Sequence, residues 1–341
     1  MAAFLSGLMR AICAQGVVQP AIWRCKRFNA ASKHQSKEDP GDMDGFIQIV
    51  QIIINGIATG SVYALIAVGF SVIFNILKFS NFSHGALMTV SAMIGYFAVS
   101  AFKLTLLPTI LIAMVAGSIV MLCGELVAFR RITKRNTSPI FFFVSSITLG
   151  TMFEGIASVW IGANFWTYAG ANPNFFNNVN IQFGPFVITA SDLVMLLCSI
   201  VALALLTFFT QKTRMGRGLR SVSFDRDTAG LMGINVSRTI QVAFAIAGAF
   251  AGLAGVFLGI KFTLTSTMGT AVVKGFIASV IGGLGSMSGA VIGAVLLGLL
   301  ETILTYIFGT GFKEVFTFLI MLVFLLLRPQ GIAGSNVQEK A

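Results

Sequence analysis

The chain has 341 residues, 56% of them hydrophobic and 10% charged, with a formal net charge of +11 at pH 7 and a mean hydropathy of +0.89. Soluble domains carry about 25% charged residues, so a water-wetted surface over the whole molecule is excluded and lipid has to cover most of it. The excess of Lys and Arg does not point to nucleic acid: no groove-reading motif accompanies it, and the basic residues crowd short loops between apolar runs, where they orient a membrane protein.

Residues 1–43 carry Arg10, Arg24, Lys26, Arg27, Lys33 and Lys37, contain no apolar run long enough to span, and end in the polar breaker Lys37-Glu38-Asp39-Pro40-Gly41-Asp42. They read as a targeting segment, a disordered basic arm, or a stretch upstream of a true start at Met43. The last fits best, because Met43-Asp44-Gly45-Phe46 leads directly into a span, and no continuous apolar core or small-residue cleavage site supports a secretory signal. About 20 apolar residues cross the hydrocarbon. Runs at 46–76, 82–101, 104–128, 139–161, 188–210, 239–260, 274–308 and 314–327 therefore predict an all-α, polytopic transmembrane helical bundle of about 8 spans (8–10). The first and seventh runs are too long for one simple crossing, so each is expected to be broken or partly re-entrant. Residues 44–334 form the membrane domain on this reading, and 335–341 a polar tail.

Orientation follows from charge. The loop holding Arg130, Arg131, Lys134 and Arg135 has no acidic residue, and 211–238 holds Lys212, Arg214, Arg217, Arg220, Arg226 and Arg238 against Asp225 and Asp227. Between them, 162–187 is uncharged and rich in Asn and aromatics. The positive-inside rule puts both basic loops in the cytoplasm and the neutral one outside.

Three kinds of motif stand out. Asn81, Ser83 and His84 follow the first span at an interface, where unpaired polar groups cost several kcal/mol; they either line a translocation path or cap the second helix. Gly248, Gly252, Gly255 and Gly259 recur at helical spacing, as do Gly285, Gly289 and Gly293, and present faces for close helix packing. Gly282, Gly283 and Gly285, with Ser286 and Ser288, concentrate helix-weakening residues inside an apolar run, which predicts an unwound break or a pair of half-helices along a substrate path.

Of the acidic residues inside spans, Glu125 and Asp192 sit near span ends and are expected to reach water. Glu154 and Glu301 are deeper and are candidates for the path. Cys13, Cys25, Cys123 and Cys198 form no CxxC pair, so neither a disulfide framework nor a metal site is expected. The segment 214–238 offers a short amphipathic helix at the inner face. Asp225 and Asp227 can cap it, with Arg226 between them. Ala229, Leu231, Met232 and Ile234 form its apolar side, and Gly233 terminates it. Such a helix suits a groove in a partner protein.

Together, the block Gly60–Phe70, Asn81–Gly85, the Gly216–Asn235 loop, Gly282–Gly298 followed by Glu301, and the closing Arg328-Pro329-Gln330-Gly331-Ile332 resemble the branched-chain amino-acid permeases of ABC importers, specifically the shorter LivH-like member. The likeness covers nearly all of 46–334. It implies a permease subunit of a bacterial inner-membrane importer for branched-chain or related small amino acids. The implied partners are a second, LivM-like permease, two cytoplasmic ABC ATPases and a periplasmic substrate-binding protein. ATP would be bound by the partner subunits, with no cofactor in this chain. It also implies that the Asp225–Ile234 helix is the coupling helix that seats in an ATPase. The sequence departs from the family pattern in placing Phe224 and Gly230 where an acidic lead and a basic residue are usual.

The chain has no GxxxxGK[ST] loop and so no P-loop of its own to cradle nucleotide phosphates. An ion-coupled carrier or channel would need its own ion site or filter, for which two deep carboxylates are thin support. A membrane enzyme would need a nucleophile or metal set; with His34 and His84 as the sole histidines and no HExxH or GxSxG, neither is present.

Overall fold

In lipid every backbone N–H and C=O has to be bonded within its own segment, so long apolar runs become helices. The computed structural model describes residues 42–134, 139–162, 164–172, 175, 180–183, 186–328 and 330–333. The chain divides into two compact units, Met1–Gln48 and Ile49–Ala341. Of the first, only the opening of α1 is described; the basic leader up to residue 41 and the polar tail 335–341 lie outside the described residues.

The order is α1 (Asp42–Leu77), α2 (Ser83–Phe102), α3 (Leu106–Gly124), a π-helical turn (Glu125–Phe129), α4 (Arg130–Lys134) and α5 (Pro139–Ile161). A short α6 (Tyr168–Ala171) and an antiparallel hairpin, β1 (Asn180–Phe183) and β2 (Phe186–Thr189), follow in the neutral loop, with Asn180 opposite Thr189. Then come α7 (Ala190–Lys212), α8 (Arg214–Phe224), α9 (Arg226–Leu231), α10 (Val236–Lys261), a 3-10 turn (Met268–Ala271), α11 (Val272–Gly282), α12 (Met287–Phe308), a second 3-10 turn (Thr310–Phe312) and α13 (Lys313–Leu327). Among the described residues, 8 helical segments are long and apolar enough to cross a membrane.

The first and seventh runs behave differently from each other. Contrary to expectation, α1 is one unbroken helix of 36 residues. No proline interrupts it, and its glycines serve close packing rather than a break. A Cβ on Gly60 would lie 2.8 Å from the Cα of Val295, and one on Gly69 would lie 2.9 Å from the His84 ring. The seventh run does break. Gly283 and Gly285 take φ of 105° and 87°, a region open to glycine and strained for other residues. Ser286 then caps α12, its Oγ accepting from the Gly289 N–H at 3.1 Å. At 11 residues α11 reaches only about 17 Å, and it folds back on α12. A Cβ on Gly282 would lie 2.0 Å from the Gly289 carbonyl oxygen, and one on Gly293 would lie 2.2 Å from that of Ala278. The end of the chain closes this hairpin: the N–H groups of Ile332 and Ala333 donate to the carbonyls of Ile281 and Gly282, each at 2.9 Å. Those carbonyls belong to the last turn of α11 and have no partner within it.

Helices α1, α2 and α10 are the most buried spans, whereas α7, α12 and α13 leave most of their surface to lipid or to other subunits. The predicted glycine stripe packs α10 on both sides. Gly248 and Gly252 meet the backbone of α3 at Gly117 and Ala113, Gly255 meets Met88 of α2, and Gly259 meets Tyr168 and Leu264. A Cβ on Gly252 would stand 2.1 Å from the Ala113 carbonyl oxygen, while Gly155 has nothing within 4 Å. Overpacking costs about 1–3 kcal/mol or more. Gly252→Val is therefore expected to lower the melting temperature in detergent by several degrees, read by size-exclusion chromatography after heating. Gly155→Val should leave it unchanged; equal shifts would remove the packing role.

Candidate functional site: an outer cavity joined to a cytoplasmic helix

Helix α10 starts beside the basic segment and runs to Lys261, so its Lys261 end lies on the outer side. There a cavity of about 940 Å³ opens between α1, the end of α10, the first 3-10 turn, α11 and α13, with Tyr63, Lys261, Lys274, Lys313 and Glu314 in its wall. Behind that wall stands Glu301 of α12, 3% exposed. Its Oε1 accepts from Lys274 Nζ at 2.9 Å, Lys313 Nζ at 2.7 Å and the Tyr63 hydroxyl at 3.2 Å. Lys274 also pairs with Glu314 at 3.0 Å. Lys274 lies 5.7 Å over the Tyr63 ring and Lys313 lies 5.4 Å over the Phe262 ring, both within cation–π reach. At the rim Lys261 pairs with Asp192 at 2.9 Å.

Four charges thus tie α11, α12 and α13 to α1 and sum to zero. Such groups are tolerated in a membrane only when paired, and removing one partner of a buried pair costs about 3–5 kcal/mol. Glu301 Oε2 is buried without a hydrogen-bond partner. Sequence reasoning named Glu301 and missed Tyr63, Lys274, Lys313 and Glu314. The signal was present: Lys274 opens the seventh apolar run, and Lys313-Glu314 leads into the eighth.

A second cleft of about 310 Å³ lies on the cytoplasmic side, lined by Val68, Asn75, Arg220, Gly285 and Ser288 among others. Of the remaining path candidates, Gly285 lines this second cleft, while Asn81, Ser83, His84, Glu154, Gly282 and Gly283 line neither cavity. Asn81, Ser83 and His84 are buried in the core. Asn81 Oδ1 accepts from the Ser83 N–H at 3.2 Å and from its hydroxyl at 2.7 Å, which is a helix-start role, although the residue in the cap position is Phe82. Both ring nitrogens of His84 and the Asn81 amide nitrogen are buried without partners. Glu154 sits half-buried on α5, which packs on α2 rather than on the charged cluster. Gly282 is sealed between Gly289 and Gly331. Glu125 does not reach water as expected: it opens the π-helical turn and is 3% exposed, packed beside Arg130 and Gln241. Asp192 is part-buried and held by Lys261. Among the described residues, no group of His, Cys, Asp and Glu is placed to hold a metal ion. Cys123 and Cys198 are free thiols.

The cytoplasmic helix forms as the sequence predicted, with changes of orientation. Asp225 caps α9: its Oδ1 accepts from the N–H groups of Asp227 at 2.9 Å and Thr228 at 3.3 Å, and its Oδ2 accepts from the Thr228 hydroxyl. The Thr228 hydroxyl, then the Thr228 and Asp227 N–H groups, hold this carboxyl below the usual aspartate range. The charged cap therefore persists at neutral pH and is lost as pH falls through that lowered value. Gly233, with φ of 82°, ends the helix. The N–H of Ile234 reaches Ala229 O at 3.1 Å and that of Gly233 reaches Gly230 O at 3.0 Å, a Schellman pair. Ala229 turns inward at 4% exposure instead of joining the outer face, while Leu231 (88%), Met232 (79%) and Phe224 (95%) stand out. Phe224, set aside in the sequence as a departure, is the most exposed of them.

Arg226 points back into the chain. Its Nε and Nη2 donate to the Ile76 carbonyl at 3.0 and 2.6 Å. Helix α1 ends there, with Lys78 at φ 56° bonding back to Phe74 O, so Ile76 offers an unbonded helix-end carbonyl that attracts a cation. Burial and the Arg226 charge push the Lys78 ammonium below its ordinary range. From Ile76 the same unbroken helix runs to Tyr63 in the outer cavity, roughly 20 Å along its axis.

A rigid helix that connects an exposed cytoplasmic element to a charged outer cavity is the architecture of a multi-pass membrane permease, a machine for moving a solute rather than an enzyme. Residues 52–326 match the family described as branched-chain amino acid transport system / permease component, and the chain belongs to that family. It is similar to the high-affinity branched-chain amino acid transport system permease protein LivH of Escherichia coli (strain K12), 31% identical over 309 residues covering 86% of this chain and 98% of that protein. LivH of Salmonella typhi matches to the same extent. The corresponding permease protein BraD of Pseudomonas aeruginosa is 29% identical over 301 residues, covering 85% of this chain and 97% of that one. A permease component works with the other subunits of its transport system.

Proposed function

We propose that this chain is the permease subunit of an ABC importer in a bacterial inner membrane, and that residues 44–334 form half of a path for branched-chain or related small amino acids. The observation that carries the reading is the corner of α8 and α9: a capped α9 with Leu231 and Met232 at its end, and Phe224 at the end of α8, all exposed on the cytoplasmic side, in a chain without a P-loop. Exposed apolar residues clustered around a concave surface mark a docking site, and the dent of about 400 Å³ beside them includes Phe224, Met232 and Ile234.

The partners are a second, related permease, two cytoplasmic ATPases that take the coupling helices, and a periplasmic binding protein that delivers the solute. The amino-acid substrate is supported by the relatives' names and by a charge-balanced outer cavity. ATP binding closes the ATPases and moves α9, Arg226 passes the movement to α1, and the outer cavity accepts solute. Hydrolysis resets the path. The deciding experiment is reconstitution in liposomes. ATP-dependent leucine uptake is expected with the ATPases, the second permease and the binding protein, and none with this chain alone. Robust flux through the purified chain without an ATPase would replace the reading with a carrier or channel.

A further inference from the structure

The four-charge cluster does more than hold helices together. Glu301 and Glu314 are held very differently. Glu301 is 2% exposed at its side chain, and one of its oxygens takes three donors. Glu314 is 65% exposed and is held by Lys274. It is the loose end of the network, and it borders open space. The cavity volume of about 940 Å³ stands at the upper end of the roughly 300–1,000 Å³ typical of small-ligand sites.

We propose that the cavity is a way-station for a zwitterionic α-amino acid, whose carboxylate displaces Glu314 from Lys274 while its ammonium pairs with the freed Glu314. This inference rests on the permease reading above and names how that path holds its solute. Charge bookkeeping supports the exchange. Before it, Lys274 has two carboxylate partners and Glu314 has one cation; afterwards both counts are unchanged, and the net charge of the cavity stays at zero. A lone carboxylate would strand Glu314 without a cation. A lone amine would take Glu314 and leave Lys274 and Lys313 sharing one carboxylate. Lys274 and Lys313 are 13% and 25% exposed, and a bound solute would also cover Glu314; a charge left unpaired under that cover is costly, so the cluster discriminates in favour of a molecule that carries both charges. Met268, Val273, Ile277 and Phe318 of the same wall provide an apolar surface for an aliphatic side chain.

The test uses the assembled transporter in nanodiscs without the binding protein, so that ligands reach the cavity directly. Thr270 is exposed and lines the cavity. In a chain whose four native cysteines are replaced by serine, Thr270→Cys is labelled with a membrane-impermeant maleimide. L-Leucine at millimolar concentration is expected to slow labelling several-fold. Equal 4-methylpentanoate, which lacks the ammonium, and 3-methylbutylamine, which lacks the carboxylate, should leave the rate unchanged. Adding Glu314→Gln should abolish protection by leucine without changing the unprotected rate. Thr265→Cys, in the same wall, serves if Thr270→Cys does not support uptake. Failure of leucine to protect, protection by either single-charge analogue, or full protection with Gln at position 314 overturns the proposal. The permease reading is checked separately, by ATP-driven leucine import of the unmodified assembly in liposomes with the binding protein: import there together with any of those labelling results overturns this proposal alone, whereas loss of import would overturn the permease reading instead.

Discussion

Leu231→Asp is expected to abolish ATP-driven uptake and to strip the ATPases from the purified complex while leaving membrane insertion intact. Leu231 is 88% exposed, so the substitution removes no packing from the chain itself, and surface changes of this kind usually alter stability by less than about 0.5 kcal/mol. In the assembly the same side chain would be buried, and a desolvated, unpaired carboxylate there costs about 3 kcal/mol or more, a loss of about a hundredfold in affinity. Phe224→Asp should act in the same direction, since Phe224 is 95% exposed and lines the same dent as Met232. Co-purification of tagged ATPase and uptake of labelled leucine are the two measurements. Normal uptake in Leu231→Asp would take the coupling role away from α9.

Arg226→Gln is expected to separate hydrolysis from transport. The guanidinium lies on the side of α9 facing α1, so its removal leaves the docking face with Leu231, Met232 and Phe224 in place. What disappears is the pair of bonds to Ile76 O. Hydrogen bonds from charged groups contribute about 1.5–3 kcal/mol. The complex should assemble and hydrolyse ATP at close to the normal rate while leucine uptake falls about tenfold or more, 1.4 kcal/mol corresponding to about a factor of ten. Arg226→Lys, which keeps the cation but loses the forked geometry, should restore part of the loss. The quantity to measure is solute moved per ATP hydrolysed. If that ratio is unchanged, or if the ATPases no longer co-purify, Arg226 is not the link between α9 and α1.

These predictions depend on features that were unequally visible in the sequence. Spans were legible because hydropathy over a window of about 20 residues reports directly on the lipid environment. The break at Gly283 and Gly285 was legible because clustered glycines weaken a helix wherever they occur. The cap and stop of α9 were legible for the same local reason: Asp225 and Gly233 act within a few residues of themselves. The continuity of α1 was not, because length alone cannot distinguish an overlong straight helix from a broken one. What decides is whether Gly60 faces the backbone of α12 and Gly69 the His84 ring, and that is a tertiary fact.

Distance along the chain explains the rest. Tyr63 and Glu301 lie 238 positions apart, and Arg226 and Ile76 lie 150 apart, so no pattern within a segment joins them. Glu301 could be singled out alone because a carboxylate in an apolar run is conspicuous. Its cations escaped notice because each sits near a span end, where a lysine ordinarily reaches the headgroups. Glu125 was misplaced for a similar reason: it is buried beside Gln241, more than a hundred positions away, and nothing in Glu125–Phe129 announces that neighbour.

The bonds from Ile332 and Ala333 to the end of α11 also set an order for folding. The donors lie some fifty positions after the carbonyls they bond, with α12 and α13 between them. The last turn of α11 is therefore sealed only after both intervening helices have taken their places.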